Sequence, residues 1–485
     1  MNIRRFALGE KVDFSQLGLI STVFQVGFVG MAIFPFFMYY FGAGVFWGLT
    51  GVLICMIVVW NFESYRLMRY KKRHDDILTL PGYFSVRFGE RGGHLRRFAS
   101  TLIIFLSFVI IALLLKELGI IVNKITGFPK PVITFAIAVL VSMYVGIFGY
   151  DILIKTTRIK AFIMICSLAS VAVFVLQKVG IKQILRNIMQ TDITGSVSRY
   201  MNIFFYDGKA LMTEDYISLI SLGLLVTGLP FMLTSFFTAE NGYTIRDGSR
   251  VTIVYMLLYS IASAIMGFVS RGYLYDKKLS ESLSIFICSL FKKLNEDGDF
   301  GRVVSYIYII GIIVSFIIVI EGCIQVMVSS LYEDFLVKGG MLYIRKSREG
   351  SVLILISMII GLVSFAVNES IKYVSINGVI IVIAAMGCSI SPTTFLSLVW
   401  KNMNKFGCVA GLFFGFISVP IFKFAYIFDK AGERATLCDK LGINSVIPSI
   451  IMSFAAVILV SLVTGGAPEE IKEDFEEVKH RITEK

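Results

Sequence analysis

The stretch STVFQVGFVGMAIFPFF (residues 21–37) decides the fold. It is apolar enough to lie in lipid, yet it carries Gly27, Gly30 and Pro35 inside the run. A second stretch, SLGLLVTGLPFMLTSFF (221–237), repeats the arrangement with Gly223, Gly228 and Pro230. Proline removes a backbone donor and glycine weakens a helix, so both segments are expected to unwind. Unwound backbone at membrane depth is tolerated only where it is buried in protein or lines a cavity. Two such segments, five spans apart, suit a five-plus-five inverted repeat whose broken helices build a solute site near the bilayer midplane. The plainer alternative is that glycine and proline are simply commoner in membrane helices.

The rest of the chain supports a membrane setting. Of its 485 residues 56% are hydrophobic, and mean hydropathy is +0.78, too apolar for a soluble protein of this size. The apolar residues fall into runs of about 20, the length a helix needs to cross the hydrocarbon. The short alternating segments of a β-barrel are not found. About twelve spans follow: 16–40, 43–63, 97–123, 132–150, 160–178, 216–238, 251–270, 302–330, 352–369, 373–400, 406–427 and 444–464. The fold class is therefore an all-α polytopic membrane protein. A transporter domain is expected over residues 1–468, with core repeats about 15–178 and 216–400 and extra helices about 406–464. Residues 469–485 form a charged tail, expected to be a short solvated helix or a disordered end.

The net charge of +12 could suggest nucleic acid, but the basic residues flank the apolar runs. The positive-inside rule explains them better. Loops 64–96, 239–250, 331–351 and 401–405 are basic and share one side, which places both termini in the cytoplasm and the protein in the cell membrane. The run SESLSIFICSLFKKL (280–294) suits an amphipathic helix on the opposite face. Seven cysteines lie scattered without paired spacing, and the three histidines are isolated. A membrane enzyme would need clustered acids or histidines. Asp75 and Asp76 lack such companions, so an enzyme is not expected.

The order and spacing of four stretches carry a resemblance. They are LTLPGYFSVRFGERGGHLRR (78–97), GLPFMLTSFFTAENGYTIRDGSRVTIVYMLL (228–258), VSSLYEDFL (328–336) and SISPTTFLSLVWKNMNKFGCVAGLFFG (389–415). From about residue 6 to 468 the chain resembles the sodium/solute symporter family, above all its bacterial sodium/proline branch. The family's usual extra N-terminal helix is not found before ALGEKVDFSQLGL, in keeping with a cytoplasmic start. The resemblance implies a LeuT-like fold with two additional C-terminal helices, and alternating access for small organic solutes such as amino acids or carboxylates.

The family's sodium chemistry is largely missing. The first-helix carbonyl positions of the implied sodium site fall at Val23 and Val26, and the two adjacent hydroxyl positions fall at Ile318 and Val319. Ser315, one turn earlier, could offer an oxygen. The acid of the fifth helix becomes Thr157, with Lys155, Arg158 and Lys160 nearby. The proline branch's first-helix aspartate becomes Gln25, its neighbours Gly27 and Phe28, and its sixth-helix pocket residues Leu222 and Val226 beside Gly228. Sodium is thus possible as a cofactor, but its usual ligands are largely absent, and proline is a poor expectation for the solute.

One acid remains at membrane depth, Glu321 in IIVSFIIVIEGCIQVMVSS (312–330), with Gln325 and Ser329 on the same face. Three roles are open: a proton-coupling acid, a partner for a fixed cation such as Lys155 or Arg158, or a structural hydrogen bond. Lys116 and Glu117 sit near the outer end of their span, where snorkelling would explain them. The leading expectation is a secondary transporter of a small organic solute with doubtful sodium coupling. The alternative is a non-transporting sensor or accessory protein of the same fold.

Overall fold

Apolar runs of this length satisfy their own backbone in lipid by forming helices, and helices dominate the computed structural model. It describes residues 1–10, 12–190, 197–275, 282–340, 344–372, 375–428 and 434–480, without the side chains of Gln25, Ile427, Phe428, Arg434 and His480. Ten continuous helices and two bent pairs make twelve spans among these residues. Span 1 is Phe14–Phe24 with Val26–Phe41, span 2 Ala43–Arg73, span 3 His94–Thr126 and span 4 Lys130–Phe148. Span 5 is Tyr150–Val179, span 6 Thr213–Thr227 with Pro230–Thr238, span 7 Gly242–Tyr273 and span 8 Gly298–Val337. Spans 9 to 12 are Lys346–Ser370, Ile376–Val399, Lys405–Phe424 and Val446–Val463.

Packing divides the spans into groups. Spans 1, 2, 6 and 7 pack together, and spans 3, 4, 8 and 9 form a second group. Span 5 touches spans 1, 7 and 8, while span 10 joins span 6 to spans 11 and 12. Large apolar side chains stay open on the outer ring, Leu140 at 63% and Phe162 at 70%, which only a lipid surround makes acceptable. Both termini lie at one end: Arg4 bonds Asp75, the Ile3 amide donates to Glu349, and Arg73 meets Asp474 of the tail.

The two interruptions differ. Span 1 does not unwind as the sequence suggested. It bends by 59° and passes through one π-helical stretch, Val29–Ile33. The Phe34 amide reaches back to the Val29 carbonyl, one residue beyond the α-helical partner, just before Pro35, which has no amide to donate. The carbonyl of Gly27 accepts from the Tyr259 hydroxyl at 2.6 Å, and that of Gly30 from the Ser263 hydroxyl at 2.5 Å. A Cβ on Gly30 would lie 2.4 Å from the Tyr259 ring, so glycine is needed for that approach. Span 6 is broken outright, by 59° at Gly228 and an extended Leu229. A Cβ on Gly228 would sit 2.8 Å from the Gly387 carbonyl of span 10.

Other expectations are corrected. Span 5 begins at Tyr150, ten residues before the charged stretch DILIKTTRIK lets the hydropathy show. Glu117 does not snorkel. It is 7% exposed and accepts from the amide and hydroxyl of Ser284, capping the first turn of the amphipathic helix Leu283–Glu296. That helix buries Phe286, Ile287 and Leu290, while residues 276–281 before it lie outside the described ones. The tail is helical over Glu469–His480, and it is docked: Phe475 and Val478 are each 4% exposed.

Candidate solute and ion site

The two interruptions meet. Phe24 and Phe231 lie with ring centroids 5.4 Å apart, and a cavity of about 110 Å³ opens further along the same two spans. Val29 and Phe34 of span 1, Leu49 of span 2, Leu222 and Val226 of span 6 and Ile383 of span 10 line it. Tyr206, on the hairpin Phe205–Tyr206/Lys209–Ala210, lies over its mouth and stacks on Phe41 at 4.8 Å. The expected pocket residues Leu222 and Val226 are thus brought together. Phe28 is not among them: it packs edge-on against Phe316 of span 8, centroids 4.8 Å apart. Gly27 faces Met164 of span 5, Gly228 forms the break, and the side chain of Gln25 lies outside the described residues.

The ion positions gather no hydroxyls. Ile318 and Val319 are buried aliphatics, 1% and 7% exposed. The Ser315 hydroxyl donates to Ile312 on its own helix at 2.7 Å, and the Thr157 hydroxyl to Leu153 on its own. Val23 and Val26 are buried and could contribute only carbonyls.

Next to these positions stands a fixed ion pair. Glu321, 3% exposed, accepts from Lys160 of span 5 at 2.5 Å, and the Lys160 ammonium also lies 5.8 Å from the Tyr144 ring centroid. The cation is therefore Lys160 and not Lys155 or Arg158. Arg158 is drawn to Asp13 and Ser15 at the start of span 1, and Lys155 lies beside Asp151 in a surface recess. A period of 3.6 explains the choice, because Lys160 shares a face with Thr157 and Met164, both buried, while Arg158 and Lys155 point outward. Further down the same face of span 8, Gln325 donates to the Ala7 carbonyl at 2.8 Å.

Several residues escaped the sequence. Tyr259 and Ser263 look like ordinary membrane-helix residues, and only their i, i+4 spacing hints at a shared target. Asp334 of VSSLYEDFL is fully buried, accepting from Thr79 at 2.9 Å and Ser100 at 2.9 Å with Arg96 at 3.7 Å. Glu63 was hidden by its place at the edge of a basic loop, although charge resumes only at Arg66.

Two halves whose first helices are interrupted side by side define the LeuT-like fold. The family model described as the sodium:solute symporter family matches residues 19–415, and the chain belongs to that family. Its relatives include the high-affinity proline transporter of Bacillus subtilis, 23% identical over 100% of this chain and 97% of that one. The sodium/proline symporter of Escherichia coli is also 23% identical, over 87% of this chain and 80% of its own length. Among solved structures, a Na+-coupled sialic acid symporter in a substrate-bound outward-open state superposes with a TM-score of 0.75 at 14% identity, over 96% of this chain and 93% of that one. MhsT in complex with L-phenylalanine gives 0.55 at 12% identity, over 93% and 99%. At such identities the structures establish the fold.

Proposed function

We propose that the protein carries a small organic solute with an apolar body across the cell membrane by alternating access, with no sodium ion at the position its family shares. The solute class is supported by the cavity wall, where the side chains of Val29, Phe34, Leu222 and Val226 are all apolar. The coupling reading is carried by one observation: where the family gathers oxygens, the chain has Ile318 and Val319, with the Lys160–Glu321 pair alongside. A protein-borne ammonium supplies the positive charge that would otherwise be borrowed from solution. The end bearing loop 64–96 and both termini faces the cytoplasm in this proposal, because its Arg66, Arg69, Lys71, Lys72 and Arg73 satisfy the positive-inside rule.

The test is reconstitution in liposomes, a binding screen over amino acids and carboxylates, and uptake of the bound solute under a sodium gradient, a pH gradient or none. Saturable uptake that ignores the sodium gradient is expected. Uptake accelerated by sodium refutes the coupling reading, and binding without flux under every gradient refutes transport.

A further inference from the structure

A second cavity, of about 160 Å³, lies further along spans 2, 6 and 10 toward the basic end, where span 12 closes it. Val59, Leu224, Phe395 and Phe454 make its apolar wall, and Glu63, Thr227 and Ser391 give it polar atoms. Glu63 ends a π-helical turn, Val59–Glu63, a local widening often found at functional positions. Its neighbours Asn61 and Phe62 are exposed, while Glu63 itself is 2% exposed.

No ammonium or guanidinium lines this cavity among the described residues, and the Cys55 thiol is a weak donor. Glu63 Oε2 is buried without a hydrogen-bond partner among the described residues. Arg66, one turn on, donates to the Leu398 carbonyl. The Thr227 hydroxyl gives its hydrogen to the Leu224 carbonyl at 3.0 Å, so in its 2.9 Å contact with Ser391 it is Ser391 that donates. Both hydroxyl hydrogens are committed. Of the other described residues lining the cavity, Cys55 on the same helix is the one titratable group; spans 6 and 10 present Thr227 and Ser391, and span 12 presents Ile450 and Phe454. An ionised carboxylate here would go unpaired, at a cost of several kcal/mol.

We propose that Glu63 is a proton-binding site, loaded in the conformation described and emptied when movement at the Gly228 break admits water to its cavity. Binding is the addition of one proton to a carboxylate oxygen, and release returns it to water. Its role in a transport cycle rests on the transporter reading; the loaded state does not.

Infrared difference spectra of the full-length purified protein, wild type minus Glu63→Gln, test the loaded state without any solute. The expected result at neutral pH is a protonated-carboxyl carbonyl band that added sodium chloride leaves unchanged. A missing band, or one that sodium abolishes, overturns the proposal. In case the variant does not fold, dicyclohexylcarbodiimide, which adds to protonated carboxyls in apolar surroundings, is applied to the wild type. Labelling of Glu63 that falls as pH rises supports the site, and labelling confined to other acids overturns it. In liposomes shown to transport, Glu63→Gln is expected to lose the response to a pH gradient, and a retained response overturns the coupling role alone.

Discussion

Lys160 and Glu321 hold each other at 2.5 Å with 14% and 3% of their side chains exposed, so neither charge has water to fall back on. Removing one partner of a buried pair costs about 3–5 kcal/mol, whereas replacing both with apolar groups is often nearly neutral. Lys160→Met is therefore expected to lower thermal stability in detergent markedly, and Lys160→Met with Glu321→Leu to recover most of the loss. A double-mutant cycle of melting temperatures measures the coupling. At the surface the argument concerns pH. Partial burial pushes the Asp13 carboxyl up, but the Gln16 amide and Arg158 outweigh it and hold it below the usual carboxylate range. Its contribution is fully present above its unfolded pKa of about 3.9 and is lost as pH falls through the lower folded value. Asp13→Asn should remove that acid-dependent loss of stability, as read from melting curves between neutral and strongly acid pH.

The bent and broken spans belong to the scale of the element. In span 1 the Gly27 and Gly30 carbonyls accept hydrogens from the Tyr259 and Ser263 hydroxyls of span 7. Tyr259→Phe removes the hydroxyl that donates to the buried Gly27 carbonyl and is expected to cost about 0.5–1.5 kcal/mol, visible as a lower melting temperature. The interruptions were legible because Gly30, Pro35, Gly228 and Pro230 change what backbone can do, and those changes are local. Their unequal outcome was not legible. Whether a proline yields a π turn or an open break depends on what the neighbouring span donates, and span 7 offers hydroxyls to span 1 at that depth. The start of span 5 was missed for a related reason: Asp151, Lys155 and Arg158 read as loop, and only the folded chain brings Arg5 to Asp151 and Asp13 to Arg158. Glu63 was lost between a hydropathy window and a basic loop, since only the folded π turn shows that it faces inward.

Across the whole molecule, the tail helix Glu469–His480 clasps the basic end. Arg73 meets Asp474 and Glu477, His74 lies 3.3 Å from Asp474, and Lys401 lies 3.7 Å from Glu476. The Arg87 guanidinium sits 4.7 Å from the Phe475 ring centroid. The acidic run PEEIKEDFEEV reads as solvated because its partners lie in another part of the chain, but Phe475 and Val478 at i, i+3 mark an apolar edge. Arg73→Glu sets like charges against the tail and should loosen it by about 1 kcal/mol. The measurement is tryptic cleavage after Lys472, expected to rise several-fold as the undocked population grows.

The Lys160 ammonium also has an electrical consequence. An ion that rides with a solute crosses the bilayer once per turnover and draws about 2.3 kcal/mol from every 100 mV of membrane voltage. A charge bolted to the chain returns to its starting point each time the protein resets, so over a full turnover it does no net work. In the proposed cycle, any concentrating of solute against its gradient is then driven by something that leaves the protein, such as the solute's own charge or a proton.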